Sequence, residues 1–339
     1  MNTFCAIIGI SLFLISCSDT FKNSENTQQV GTDTISVGHA IDSLTGAISA
    51  DRNNSSLFYQ RAKLFFGQNK IDDALTDVRV AVKIDSTIPE YHILSGDIYY
   101  SRRQIATALQ SFGKVLRIDE KNVTALLKIS EIYLLTRNYE ECSINLRKCI
   151  DVDPLNPLAY YLLGIMFKET GDTARAVSSF QQASEFKPQY YDALMEAGIL
   201  LLHRKDKLAE TYLRSALSIK PSSTETMYAL GMYYQNVNLT DMALAQYRNI
   251  LAIDSGHVNA WYNMGYIYTV LLNDFKKAIP CFESAIEIKN NFTEAYYMRG
   301  LCREGLGNTE EARKDYLVCL RLKENFELAI QGLNRLENH

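Results

Sequence analysis

The chain has 339 residues, of which 47% are hydrophobic and 22% charged, and a formal net charge of −4. This composition is typical of a folded protein and excludes a largely disordered one. Lys and Arg number 35 against 39 Asp and Glu. A face that binds nucleic acid would be expected to show a basic excess, so the charge argues against that class of partner.

The N-terminal segment is almost entirely apolar. The run 4–16 is too short to cross a bilayer comfortably but long enough for the core of a signal peptide. It ends in Leu14-Ile15-Ser16-Cys17, which resembles the lipobox of bacterial lipoproteins, although residues 1–3 lack the basic residue usual in that family. The resemblance implies a lipoprotein signal peptide over 1–16 and lipidation of Cys17. An ordinary cleaved signal and an uncleaved anchor remain the alternatives.

If Cys17 is lipidated, the protein is expected in the bacterial cell envelope, anchored to the outer membrane or facing the periplasm rather than the cytoplasm. Residues 18–34 are polar and show no helical period, so 17–34 is predicted to be the lipidated cysteine and a flexible tether. The apolar pattern of residues 35–54 is typical of the second helix of a repeat whose first helix is missing.

A repeat of 33 to 35 residues follows, marked by a small side chain at each copy. A large side chain follows four residues later and a small or aliphatic one three residues after that, so each second helix is predicted to present a face for close packing. Six first helices carry a glycine in mid-helix, at a cost of about 0.5–1 kcal/mol relative to alanine. We expect this glycine to allow close backbone approach between paired helices. The small residues are Ala74, Ala108, Cys142, Ala176, Ala209, Ala243, Ala278 and Ala312.

This pattern resembles the tetratricopeptide repeat, most completely at Trp261, Gly265, Tyr268, Ala278, Phe282 and Ala285. The resemblance implies an all-α fold, an α-solenoid of about eight helix-turn-helix repeats in a right-handed superhelix, with a half repeat before them and a capping helix over 327–339. One residue is lost near 205–208, and one is gained near 272–275, where Pro280 stands close to the start of a second helix. We expect the array to bend irregularly at both places. The predicted repeats are 55–88, 89–122, 123–156, 157–190, 191–223, 224–257, 258–292 and 293–326.

In proteins with such repeats the first helices line an inner, concave wall, so exposed residues there are the candidates for partner binding. One position of that wall, termed here the inner row, is mostly tyrosine; a flanking row stands four residues further on, one helical turn away. Stripes of this kind are also common in cores. The inner row is Tyr59, Ile93, Leu127, Tyr161, Met195, Tyr228, Tyr262 and Tyr297, and the flanking row is Lys63, Asp97, Glu131, Ile165, Ile199, Met232, Tyr266 and Leu301.

Neither row carries the lysine and asparagine clamp with which some repeat domains grip the acidic tails of chaperones. No motif of a catalytic, metal or phosphate site occurs, so we predict a protein that is not an enzyme and has no cofactor. Asp85, Asp119, Asp153 and Asp254 are interpreted as parts of inter-repeat turns. Cys142 and Cys149, on one helix face, are interpreted as small buried side chains rather than a disulfide.

These observations predict a lipid-anchored scaffold of the cell envelope that binds a protein or peptide in its concave groove and supports assembly of a multi-protein complex. A second hypothesis is an envelope lipoprotein that binds sugars, since tyrosine rings can stack on them. The flanking Ile165, Ile199 and Met232 are poorly suited to sugars. The sequence leaves the partner and the oligomeric state open.

Overall fold

The structure is a computed structural model that describes residues 33–337, a range that is helical and contains no strand. The predicted signal peptide, Cys17 and all but the last two residues of the predicted tether lie outside the described residues. Those two residues belong to the first helix, which begins at Asp33. The chain divides into two compact units, one ending at Leu162 and the other beginning at Leu163.

The first unit contains seven complete helices and the start of an eighth. Each predicted repeat supplies two helices, and the predicted half repeat supplies one. The helices are α1 (Asp33–Ala50), α2 (Ser55–Gly67), α3 (Ile71–Ile84), α4 (Pro89–Ser101), α5 (Ile105–Ile118), α6 (Val123–Leu135), α7 (Tyr139–Val152) and α8 (Pro157–Glu169), the last of which crosses into the second unit.

The second unit continues in the same way and ends in a single helix beyond the last repeat. Its elements are α9 (Thr173–Phe186), α10 (Tyr191–His203), α11 (Leu208–Ile219), α12 (Thr224–Asn236), α13 (Thr240–Ile253), α14 (Val258–Tyr266), a π-helical segment (Ile267–Leu271), α15 (Phe275–Ile288), α16 (Thr293–Gly305), α17 (Thr309–Leu322) and α18 (Glu327–Glu337).

Packing within each unit is chiefly between consecutive helices. Paired helices such as α2 and α3, or α12 and α13, form hairpins, and second helices such as α3, α5, α11 and α15 also pack on the first helix of the next hairpin. This confirms the predicted all-α fold built of helix-turn-helix repeats. The small and large residues of the second helices are buried as predicted: Ala176, Phe180 and Ala183 are all 0% exposed.

The mid-helix glycines serve a different purpose from the one expected. A Cβ atom added to Gly164 would lie 2.5 Å from Cε1 of Phe180, and one added to Gly265 would lie 2.7 Å from Cε1 of Phe282. The glycine therefore makes room for the large side chain of the second helix rather than for its backbone. At Gly198 the neighbours of an added Cβ include the backbone nitrogen of Leu213 at 3.4 Å as well as its side chain, so the second helix also approaches closely there.

The turn inside each repeat places one residue in the left-handed region. This residue is glycine only at Gly171 and Gly307; Asn69, Arg103 and Lys205 are among the others. In every repeat but the seventh, the amide of the following residue then donates to a carbonyl five residues back, as from Lys70 N to Phe65 O at 2.8 Å. These bonds satisfy the last carbonyls of the first helix, which would otherwise lack partners.

The seventh repeat accommodates its extra residue in the π-helical segment that follows α14. There Thr269 Oγ1 donates to the Gly265 carbonyl at 2.8 Å. The backbone amide of Asp274 donates to the Tyr268 carbonyl at 2.7 Å. The wider turn takes up the insertion before α15 begins. Helix α15 runs through Pro280 and continues to Ile288.

The first repeat and the last repeat each contain a buried ion pair between an arginine and an aspartate. Arg61 holds the Asp77 carboxylate through two hydrogen bonds of 2.7 and 2.8 Å, and Arg299 holds Asp315 through bonds of 3.0 and 2.7 Å. Arg303 is largely covered and also donates to Asp315 at 2.9 Å.

Helix α18 covers the end of the last repeat. Its Leu333 and Leu336 pack against the cluster of Ala312, Tyr316, Cys319 and Ala329. Arg335 donates to both oxygens of Glu304 at 2.7 and 2.9 Å. The apolar face of α17 that another repeat would cover is thus partly buried by α18.

Candidate protein-interaction surface

The inner row of the first unit is only partly accessible. Tyr59 is half-buried, and its ring centroid lies 4.9 Å from that of Tyr91. The ammonium group of Lys63 lies 4.8 Å from the Tyr59 ring centroid. Ile93 is also half-buried, whereas Leu127 and Tyr161 are 9% and 8% exposed. Leu127 and Tyr161 therefore offer little surface to a partner and act chiefly in packing.

The flanking row of the first unit contributes a charged cluster. Asp97 pairs with Lys128 at 3.0 Å. Burial raises the pKa of the Glu131 carboxyl, Lys128 opposes this, and Asp97 raises the pKa further. Lys128 was not singled out from the sequence, because it precedes Glu131 on α6 and belongs to neither row.

In the second unit, Met195 is 4% exposed and hence part of the core, but the three tyrosines of the inner row are half-buried. Each ring lies between two others, one from the second helix of its own repeat and one just before the next first helix. The centroid distances are 5.9 and 5.6 Å from Tyr228 to Tyr247 and His257, 5.8 and 4.9 Å from Tyr262 to Phe282 and Phe292, and 5.9 and 5.8 Å from Tyr297 to Tyr316 and Phe326.

These tyrosines have two roles, since part of each ring packs against its two aromatic neighbours and the rest remains accessible. Asn263 fixes the first of them, because its Nδ2 donates to the hydroxyls of Tyr228 and Tyr247, each at 3.1 Å. Burial raises the pKa of Tyr262, and Glu294 and the hydroxyls of Tyr266, Tyr297 and Tyr228 raise it further. The tyrosines of the two rows and Glu294 are therefore close neighbours.

The remaining flanking residues of the second unit are also half-buried. Ile199, Met232, Tyr266 and Leu301 pack against the core of this unit on one side. Ile165, on α8, is half-buried too. Together with the inner-row tyrosines they give this unit a set of half-buried aliphatic and aromatic side chains along its first helices.

Carboxylates that the sequence analysis did not single out lie beside this surface. Asp192, Glu225 and Glu294 each stand three residues before an inner-row residue, on the same helix face. Burial raises the pKa of the Glu225 carboxyl. The nearby carboxylates of Glu196 and Asp192 raise this pKa further, whereas Lys220 and Lys168 lower it. The three-residue spacing from each of these carboxylates to the inner row is readable in the sequence.

Other groups that could carry chemistry have structural roles in the described part of the chain. No cluster of metal-ligating side chains occurs between residues 33 and 337. The turn aspartates accept bonds as interpreted, for example from Thr87 N to Asp85 at 2.9 Å. The cysteines of this range are buried and free, and burial raises the pKa of Cys142 to about 12, so their thiols are inert.

None of the helices in the range 33–337 combines the length and apolar character needed to span a membrane. Comparison with known families bears on the repeats themselves. A family model described as tetratricopeptide repeat matches residues 123–154, 258–292 and 293–326, and a second model with that description matches 161–224. The chain contains tetratricopeptide repeats.

The related proteins are distant in sequence. The chain is 27% identical over 56% of its length to the probable UDP-N-acetylglucosamine–peptide N-acetylglucosaminyltransferase SPINDLY of Hordeum vulgare, of which it covers 17%. It is 22% identical over 96% of its length to a TPR repeat-containing protein of Methanocaldococcus jannaschii, of which it covers 62%. The chain thus spans less than two thirds of either relative.

Among solved structures, the C-terminal part of a TPR repeat-containing protein from Cytophaga hutchinsonii is similar with a TM-score of 0.56. The two are 20% identical, and the alignment covers 67% of this chain and 94% of the other. This similarity supports the tetratricopeptide-repeat fold alone.

Proposed function

We propose that this protein is a tetratricopeptide-repeat scaffold of the bacterial cell envelope, held at a membrane by lipid on Cys17. It binds a protein or peptide partner through its first helices and so supports the assembly of a multi-protein complex. The observation that carries the proposal is the half-buried tyrosine surface of the second unit, formed by Tyr228, Tyr262, Tyr266 and Tyr297.

Tyrosine suits this role because it offers a large apolar area with a polar tip and loses little conformational entropy on binding. Here the entropy cost is reduced further. Tyr262, for example, is already held between Phe282 and Phe292, so a partner would meet a ring whose position is fixed. Proteins of this repeat fold generally serve as non-catalytic scaffolds, which agrees with the lack of any catalytic motif in the sequence.

The test of the binding surface uses Met232→Ser and Tyr266→Ser, because truncating Tyr228, Tyr262 or Tyr297 would also remove ring packing. The control is Leu317→Ser on α17, where the side chain is 46% exposed. Proteins crosslinked to the full-length chain in cells are identified by mass spectrometry. We expect a partner that the control retains and the two variants lose. Equal recovery with all three, in variants that remain folded by circular dichroism, would contradict this surface.

The anchor is tested by Cys17→Ala. We expect the variant to move from the membrane fraction to the soluble fraction and to lack the mass of the acyl chains, since several chains are needed for stable anchoring. A variant that stays in the membrane fraction would show that the lipoprotein interpretation is wrong. The scaffold role and the anchor are thus tested separately.

A further inference from the structure

The tyrosine surface of the second unit is bordered by carboxylates, and this combination indicates the chemistry of its partner. Asp192, Glu225 and Glu294, with the half-buried rings of Tyr228, Tyr262 and Tyr297, are named here the acidic–aromatic face. We propose that the segment bound by this face carries Lys or Arg side chains. The inference rests on the proposed function and specifies the class of partner.

The first argument is the placement of charge against ring. Glu225 precedes Tyr228 on α12 by three residues, and Glu294 precedes Tyr297 on α16 by three. Residues at this spacing are neighbours on a helix surface, about 5–6 Å apart at Cβ. A cation beside either ring would therefore have both a carboxylate and the negative face of an aromatic ring within reach.

The second argument is the charge balance. Glu196 is paired with Lys168 at 2.6 Å, and the ammonium of Lys220 lies 3.7 Å from the ring centroid of Tyr191. Both nearby cations thus already have partners. In the range 33–337, none of Asp192, Glu225 and Glu294 forms an ion pair.

Glu225 shows the result of this imbalance. Burial raises the pKa of its carboxyl, and the carboxylates of Glu196 and Asp192 raise it further. Lys220 and Lys168 oppose this effect but do not cancel it. A partner's ammonium or guanidinium group would relieve this repulsion, whereas an acidic partner would add to it.

The third argument compares the two units. In the first unit the inner-row ring of Tyr59 carries a cation of its own, because Lys63 stands four residues later and its ammonium is 4.8 Å from the ring centroid. The equivalent positions after Tyr228, Tyr262 and Tyr297 hold Met232, Tyr266 and Leu301. The rings of Tyr228 and Tyr262 therefore lack a cation at this position, and a partner's Lys or Arg can take that place. Beside Tyr297 stands Arg335, whose guanidinium group is already bound to Glu304.

The test measures binding of short fluorescent peptides to the full-length protein by anisotropy. The probes are peptides of alternating Arg and Ala, of alternating Glu and Ala, and of alternating Ser and Ala, each at low and high salt. We expect only the Arg–Ala peptide to bind, and to bind more weakly at high salt because exposed charges are screened. Glu225→Gln combined with Glu294→Gln should weaken its binding about five- to tenfold.

The control is Asp241→Asn combined with Glu310→Gln. These residues are exposed on the second helices α13 and α17, so the variant loses the same charge elsewhere and should bind the Arg–Ala peptide as the parent does. The proposal is overturned if the Glu–Ala peptide binds as well, if the Arg–Ala peptide does not bind, or if the control weakens binding equally.

Failure of this inference is distinguishable from failure of the proposed function. If the Arg–Ala peptide does not bind but Met232→Ser and Tyr266→Ser still abolish recovery of a cellular partner, the basic class of partner is wrong and the scaffold role stands. If those two variants leave partner recovery unchanged, the proposed binding surface itself is wrong.

Discussion

The buried pair of Arg61 and Asp77 allows the energetics of the first repeat to be tested. The Asp77 carboxylate is 4% exposed and accepts two hydrogen bonds, of 2.7 and 2.8 Å, from the guanidinium group of Arg61. Arg61→Leu removes both bonds and leaves a buried charge without its cation. Because breaking a buried ion pair from one side typically costs 3–5 kcal/mol, and the Arg61 side chain is 17% exposed, we expect a loss of about 3 kcal/mol.

The other repeats suggest a rescue. The fourth repeat has Leu163 and Ser179 at the corresponding positions. The Ser179 hydroxyl has a hydrogen-bond partner on its own helix, because Oγ donates to the Arg175 carbonyl at 2.8 Å. Arg61→Leu combined with Asp77→Ser transfers this neutral pair to the first repeat. Replacing a buried ion pair by neutral groups is often close to neutral in stability, so the double variant is expected to lose less than about 1 kcal/mol.

Amide hydrogen exchange is the suitable assay, because stability in a repeat array is a sum of local terms and the first repeat can open by itself. Amides of α2 and α3 should exchange about a hundredfold faster in the single variant and within about fivefold of the parent in the double variant. Equal acceleration in both variants, or no acceleration in the single one, would refute the reasoning that an uncompensated buried charge causes the loss.

Three further predictions follow from the packing and the charges. Gly164→Ala should lower the free energy of unfolding by about 1–3 kcal/mol in urea titrations, since the new methyl group would overlap the Phe180 ring. Gly113→Ala should instead be neutral or stabilising, because the nearest atom to a Cβ added there is 4.0 Å away. Similar losses for both variants would contradict the packing argument. Burial, together with the carboxylates of Glu196 and Asp192, raises the pKa of Glu225 in the folded state. Ionisation of Glu225 therefore opposes folding, and the stability present in acid is lost as pH rises through that pKa. Glu225→Gln should be at least as stable as the parent at neutral pH and lose this advantage in acid, whereas a variant less stable at neutral pH would argue against the pKa assignment. Alkylation followed by peptide mapping should leave Cys142 and Cys319 unmodified until denaturant is added, because burial raises the pKa of each to about 12; rapid modification of the native protein would show local opening instead.

The repeat period was sufficient to predict the helices, because each turn and each small residue recurs at a fixed distance. First helices begin at Pro89, Val123 and Thr293, the first residues of three predicted repeats. Asp172 caps α9 by accepting a bond from Arg175 N at 3.0 Å. Local chemistry determines these features, so a single sequence contains them.

The site was less predictable, because burial depends on how closely the next hairpin approaches. Tyr161 and Tyr228 occupy equivalent positions, yet Tyr161 is 8% exposed and Tyr228 is half-buried. No pattern within one repeat distinguishes them. The pair of Arg61 and Asp77 did leave a signal, since Arg299 and Asp315 have the same sixteen-residue spacing in the last repeat.

The π-helical segment of the seventh repeat has a consequence for how such arrays change in evolution. An additional residue placed at the end of a first helix widens one helical turn, and the second helix still starts with its own cap, formed by Asp274 accepting from Lys277 N at 3.1 Å. The neighbouring hairpin is thereby spared any change of register. Length variation between related chains should therefore collect at the C-terminal ends of first helices, and engineers could lengthen a single repeat there without redesigning its neighbours.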